Sequence, residues 1–131
     1  ASHSRGEAWG AFFNDAGSWI IDDFGYWTIA DRTTDAPRGF VGIAHYAAFP
    51  EVELGWMVTH DSEGQGYAFE AASAALAWGF GTRNLPTLVS YIDQDNARSI
   101  ALAQRLRAAP DPDAARPDPE DIVIRHKRPA Q

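Results

Sequence analysis

The sequence contains no cysteine. That excludes a disulfide scaffold, a thiol nucleophile and a thiolate zinc site, and it fits a reducing, cytoplasmic setting. Positive charge is scarce: 11 Lys and Arg stand against 18 Asp and Glu, a formal net charge of −7. A chain this acidic suits neither nucleic-acid backbones nor anionic membranes as partners. Long apolar runs are missing too. Ala71–Phe80 is too short for a membrane helix, which takes about 20 apolar residues. Ala1-Ser2-His3-Ser4 shows no basic stretch before an apolar run, so no signal peptide is expected. His3, His45, His60 and His126 have no metal-ligand spacing, so no metal is expected. What is present is 131 residues, 45% of them apolar and 12% aromatic, which predicts one domain (residues 1–131) with a real core.

The residues before Ala8 read as a frayed lead-in. Ala8, Trp9, Phe12, Phe13, Ala16, Trp19 and Ile20 recur at helical period, which predicts a helix over Ala8–Ile21. Tyr26–Ala30, Gly39–Tyr46 and Glu51–Thr59 read as strands, the first two joined by a turn over Asp31–Arg38. In the third, Val52, Leu54, Trp56 and Val58 alternate with Glu51, Glu53, Gly55 and Met57. The first set is core; the second suggests a cleft wall. Tyr67–Gly79 is a helix apolar nearly all round, expected buried and ended by Gly79 and Gly81. Thr87–Ile92 is a strand and Ala97–Ala108 a helix with Asn96 or Asp95 as N-cap; Arg105 and Arg107 suit its C-terminal dipole. Four of the eight prolines fall between residues 110 and 119, predicting a loop before a last strand at Asp121–His126. The order predicts an α/β fold, a mixed, mostly antiparallel sheet flanked by helices.

Three clusters carry candidate chemistry. Glu63-Gly64-Gln65-Gly66-Tyr67-Ala68 leads from a strand into an Ala-rich helix. It is either a plain turn or an anion cradle of free amides at a helix start. It is neither a Walker loop nor a dinucleotide fingerprint. Asn96-Ala97-Arg98-Ser99 opens the last helix, as a simple cap or as an amide and a hydroxyl within reach of a ligand. Glu53 is a candidate general base or a salt-bridged strand residue; for Glu51, beside Pro50, the salt bridge is the better reading.

Taken together and in this order, the clusters resemble the GCN5-related N-acetyltransferase (GNAT) superfamily, in the branch of ribosomal-protein N-terminal acetyltransferases and their small-molecule relatives. The resembling stretches are Gly25–Ile29, Gly39–Gly42, Glu53–Trp56, Gly64–Ala71 and Asp95–Ser99. The resemblance implies acetyl-CoA in a V between two splayed parallel strands, Glu51–Thr59 and Thr87–Ile92. Backbone groups of Met57, Val58 and Thr59 would bond the pantetheine arm like an added strand. The amides of Glu63, Gly64, Gln65, Gly66, Tyr67 and Ala68 would hold the pyrophosphate, and Asn96 would reach the coenzyme arm. Ser99 would sit near the sulfur and protonate the leaving thiolate, with Tyr91 as runner-up. A primary amine would attack the thioester directly, Glu53 taking its proton through water. Arg98 would assist or stay an exposed helix residue, and Glu70 reads as a packing or pairing residue.

Two departures stand out against that resemblance. The family's first strand and helix, which help build the acceptor site, have no counterpart before Ala8. Arg107 stands where relatives often have a glycine before another strand, so that strand is expected to be reduced. A binding module for acetyl-CoA without turnover, or an unrelated small α/β binding domain, are the competing readings. The five tryptophans suggest an apolar surface that needs a partner, such as a homodimer's.

Overall fold

The computed structural model describes residues 4–130; the expectations for Ala1, Ser2 and His3 lie outside them. Helix α1 spans Arg5–Ile21. It begins before Ala8, replacing the expected frayed lead-in, because Ser4 and Glu7 form a capping box. Ser4 Oγ accepts from the Glu7 amide at 3.2 Å, and the Glu7 carboxylate accepts from the Ser4 amide at 2.6 Å. Its apolar stripe does not enter the core. Trp9, Phe12 and Phe13 stack on one another and stay more than half exposed. Trp19 alone of that stripe reaches the sheet, packing on Trp27 and Trp78 and donating from Nε1 to the Tyr26 carbonyl at 3.1 Å. Gly25 permits the approach, since a Cβ there would lie 2.6 Å from that nitrogen.

The strands are β1 (Tyr26–Ala30), β2 (Pro37–Ala44), β3 (Glu53–Val58), β4 (Val89–Asp93), β5 (Ala109–Pro110) and β6 (Asp121–Arg125). They form one sheet in the order β1-β2-β3-β4-β6-β5. All neighbours are antiparallel except β3 and β4, which run parallel and share the register pair Glu53–Val89. Asp31 organises the β1–β2 turn by accepting the amides of Thr33 and Thr34. β3 starts later than expected because the Glu51 amide turns to the Tyr91 hydroxyl, 3.1 Å away.

Helix α2 (Tyr67–Gly81) follows a short 3-10 turn at His60–Ser62. It is not buried all round: Ala72, Ala75, Gly79 and Phe80 are buried, whereas Ala74 and Ala77 face outward. Gly79 does not end it. That glycine packs against the sheet, where a Cβ would meet Ile43 at 2.7 Å and Leu88 at 3.1 Å. Ile43, Leu54 and Leu88, fully buried, centre the core between α2 and the sheet. Each contributes about 1.5–3 kcal/mol by burial.

Helix α3 (Ala97–Arg105) stops short of Ala108 because Arg107 adopts φ +62°, the left-handed conformation that favours glycine. The strand that follows, expected to be reduced, is the two-residue β5; it pairs with β6 at the sheet's edge, where Pro110 needs no amide hydrogen bond.

Candidate active site

The site begins where β3 and β4 part. Backbone pairing reaches Val89, whose amide donates to the Val52 carbonyl at 3.2 Å. One residue on, a side chain takes over: Ser90 Oγ donates to the Leu54 carbonyl at 2.6 Å. With its hydrogen committed there, Ser90 Oγ accepts from His126 Nε2 at 2.8 Å. That leaves His126 Nδ1 a buried acceptor without a partner among the described residues. Burial holds His126 neutral, pushing its pKa down to about 4. Beyond this anchor the strands part into the V that the resemblance implied.

A groove of about 490 Å³ runs from the V to the start of α2. Of the residues singled out in the sequence, Met57, Val58, Glu63, Gly64, Gly66, Tyr67, Ala68, Asn96 and Ser99 line it. Thr59 and Gln65 do not. The Thr59 amide is spent on the Arg38 carbonyl at 2.8 Å, and its hydroxyl bonds Ser62 at 2.7 Å. Gln65 turns back to donate to the Asp61 carbonyl. Gly64 (φ +71°) and Gly66 (φ +86°) both take left-handed conformations that a side chain resists. The first helical bond of α2 runs from the Glu70 amide to the Gly66 carbonyl, so the amides of Tyr67, Ala68 and Phe69 have no helical acceptor. They form the positive end of the helix dipole. Tyr67 also ties this start to the β1–β2 turn, its hydroxyl donating to Asp31 at 2.6 Å.

Sequence reasoning under-read three residues here. Arg98 ion-pairs with Glu63 across the groove mouth, holding that carboxyl below its usual range, while His60 Nδ1 lies 3.3 Å from the same carboxylate. Arg105 lines the groove two turns further along α3, its guanidinium 4.3 Å from the Phe69 ring centre. The seven-residue spacing of the two arginines was the available signal. Trp56, expected in the core, is half-buried instead and points its indole Nε1 at Ser99 Oγ, 3.2 Å away.

Asn96 is the N-cap of α3, its Oδ1 accepting the Ser99 amide at 3.1 Å. Because Ser99 Oγ accepts from Trp56, its own hydrogen is free to be donated. Ser99 and Glu53 both line a second cavity of about 210 Å³, which adjoins the groove through Trp56, Asn96 and Ser99. Burial pushes the Glu53 carboxyl up to about 7, against the Tyr91 backbone hydrogen bond that lowers it. Glu51 is a structural carboxylate, bound at both oxygens by Arg125 at 2.8 and 2.9 Å. The Tyr91 hydroxyl accepts the Glu51 amide. Among the described residues no cluster of His, Asp and Glu is arranged to hold a metal ion.

A family model for the acetyltransferase (GNAT) domain matches residues 1–109. The chain belongs to the GNAT acetyltransferase family. It is 42% identical to an acetyltransferase of known structure from Agrobacterium tumefaciens, with a TM-score of 0.92 over 97% of this chain and 74% of that one. It is 33% identical to the uncharacterized protein YkkB of Bacillus subtilis over 82 residues, 61% of this chain and 48% of that protein. The chain spans about half the length of the curated relatives it matches. A ribosomal-protein-S5-alanine acetyltransferase from Vibrio fischeri shares the fold at 15% identity, with a TM-score of 0.71 over 95% of this chain and 74% of that one. In this GNAT domain Arg107 keeps a glycine-like backbone, and the reduced strand after α3 is β5.

Proposed function

We propose that residues 1–131 act as one acetyl-CoA-binding unit that transfers the acetyl group to a primary amine by direct attack. The observation that carries this is the pairing of Glu53 and Ser99 on one cavity that adjoins the glycine-loop groove. The free amides at the start of α2 would hold the pyrophosphate, with Arg98 and Arg105 as the positive side chains on the groove. Met57 and Val58 would bond the pantetheine arm, and Asn96 would meet it from the far wall. The amine nitrogen attacks the thioester carbon, the C–N bond forms and the C–S bond breaks. Glu53, directly or through a water, takes the proton the nitrogen loses; a carboxyl titrating near 7 is matched to that task. Ser99 gives its hydrogen to the leaving thiolate and is reprotonated from solvent. Backbone amides of β3 polarise the carbonyl.

Calorimetric titration with acetyl-CoA, followed by a thiol-release assay with a panel of amines, tests this. Binding with amine-dependent thiol release supports it. Binding without release on any amine leaves a module that holds acetyl-CoA without turnover. Absence of binding makes the glycine loop a turn and removes the proposal.

A further inference from the structure

The proposed reaction uses Glu53 and Ser99 and leaves another wall of their cavity unassigned. That wall is Tyr26, on β1. Its ring lies across β2 and β3 over Gly42 and Gly55. A Cβ at Gly42 would overlap the ring, and a Cβ at Gly55 would overlap the hydroxyl oxygen. Two glycines side by side, at register partners Gly42 and Gly55, therefore clear a bed for one side chain. The hydroxyl is delivered over Gly55, two residues from Glu53 on the same strand face.

On its far side Tyr26 lines another cavity of about 210 Å³ together with Asp15, Phe40, Trp56 and Met57. Asp15 accepts a hydrogen bond from the Tyr46 hydroxyl at 3.2 Å, which ties α1 to the segment after β2. Burial, the neighbouring Tyr46 and the charges of Glu53 and Asp15 all keep the Tyr26 phenol protonated. The two cavities share Tyr26 and Trp56. Among the described residues their charged lining is Glu53, Asp93 and Asp15, with no Lys, Arg or His. The groove beside them carries Arg105 and Arg98, the latter paired with Glu63, a net positive lining. The cleft is thus polarised, cationic at its coenzyme end and anionic with aromatic faces around Tyr26.

We propose that Tyr26 is the positioning residue for the acceptor, its glycine-bedded hydroxyl orienting a cationic amine that bears no carboxylate of its own. This rests on the acetyltransferase reading of the same cleft. The attacking nitrogen first loses one proton to solvent; as the neutral amine it donates a hydrogen bond to the hydroxyl and so aims its lone pair away from Tyr26 and toward the thioester, while the charge at the far end keeps the acceptor cationic. Asp15 supplies the fixed negative charge behind Tyr26. An acceptor with its own carboxylate would face three carboxylates and find no cation.

The test is amine binding to the protein loaded with coenzyme A, read by calorimetry, which needs no turnover. The probes are 1,4-diaminobutane and 4-aminobutanoate, equal in chain length and opposite in charge at the far end. The wild-type protein is expected to bind the diamine at least tenfold more tightly. Tyr26→Phe keeps the ring on its glycine bed and loses the hydroxyl. It is expected to weaken diamine binding, and to raise the amine KM, about tenfold, while coenzyme affinity and melting temperature hold. Asp15→Asn is expected to narrow the gap between the two probes. Equal binding of the two probes, or Tyr26→Phe binding like the wild type, overturns the proposal. Failure of thiol release with intact, selective amine binding counts against the transfer reaction instead and leaves the role of Tyr26 standing.

Discussion

Ser90 Oγ donates a 2.6 Å hydrogen bond to the Leu54 carbonyl one residue beyond the Glu53–Val89 register pair, at the root of the cleft. It replaces the backbone bond that the diverging strands no longer make. Ser90→Ala strands both the Leu54 carbonyl and the His126 Nε2–H in a buried place, which costs about 1–3 kcal/mol. A drop in melting temperature and weaker acetyl-CoA binding are both expected. Unchanged values for both would mean that the splay needs no anchor.

His126 makes acid stability measurable at one residue. Its pKa is about 4 in the folded chain against the ordinary 6.5. Between those values the unfolded chain binds a proton that the folded chain refuses. Stability is therefore full above 6.5 and falls as pH drops toward 4, by about 3 kcal/mol. Urea midpoints across that window read the slope, and His126→Gln is expected to flatten it.

Glu53 should have the opposite signature. Its folded pKa of about 7 exceeds the ordinary 4.5, so the folded chain holds a proton that the unfolded chain releases. Its charged form costs stability, and that cost grows as pH rises from 4.5 to about 7. Glu53→Gln is expected to stabilise the chain by about 1–3 kcal/mol above that range and to do little below it. The same variant is expected to lower kcat about a hundredfold or more and to abolish the limb of kcat/KM that rises through about 7. A kcat within a few fold of the wild type removes Glu53 as the base.

Gly64 and Gly66 meet nothing within 4 Å at their Cβ positions, so a side chain there is opposed by backbone conformation alone. Gly64→Ala or Gly66→Ala is expected to cost about 1–2 kcal/mol of stability and to weaken acetyl-CoA binding about tenfold by turning the cradle amides. Calorimetry at matched temperature separates the two effects.

Gly79 offers the contrasting case. Alanine is favoured over glycine in a helix by about 1 kcal/mol, yet here its Cβ would strike Ile43 and Leu88. Overpacking of this kind costs about 1–3 kcal/mol, so Gly79→Ala is expected to lower the melting temperature. Adding Ile43→Val, which removes the colliding methyl, should recover part of the loss; failure to recover would place the strain elsewhere.

The strands and helices were legible wherever period and composition agreed, as at Tyr26–Ala30, recovered residue for residue, and at Asn96, the N-cap of α3. Ends were not, because they depend on single contacts at a distance. Glu51 leaves β3 for a hydroxyl 40 positions away, and α3 stops on a left-handed arginine. Burial of α2 was overestimated, and the apolar stripe of α1 stays uncovered, for a related reason. Hydrophobic period says which residues share a face and not whether anything covers it, as Trp9 and Phe12 illustrate. In the candidate site, the residues on the groove follow from local motifs in β3, the loop and α3. Tyr26 and Asp15 escaped because their approach to the cleft depends on glycines in other strands and on a tyrosine 31 residues on.

The glycine bed under Tyr26 makes positions 26, 42 and 55 a single steric unit. Enlarging either glycine evicts the ring, and shrinking the ring leaves two bare patches of backbone. Such triplets change together in descent: relatives that keep both glycines should keep an aromatic residue at 26, and those that fill 42 or 55 should have given it up. An alignment deep enough to count the mixed combinations would find them rare.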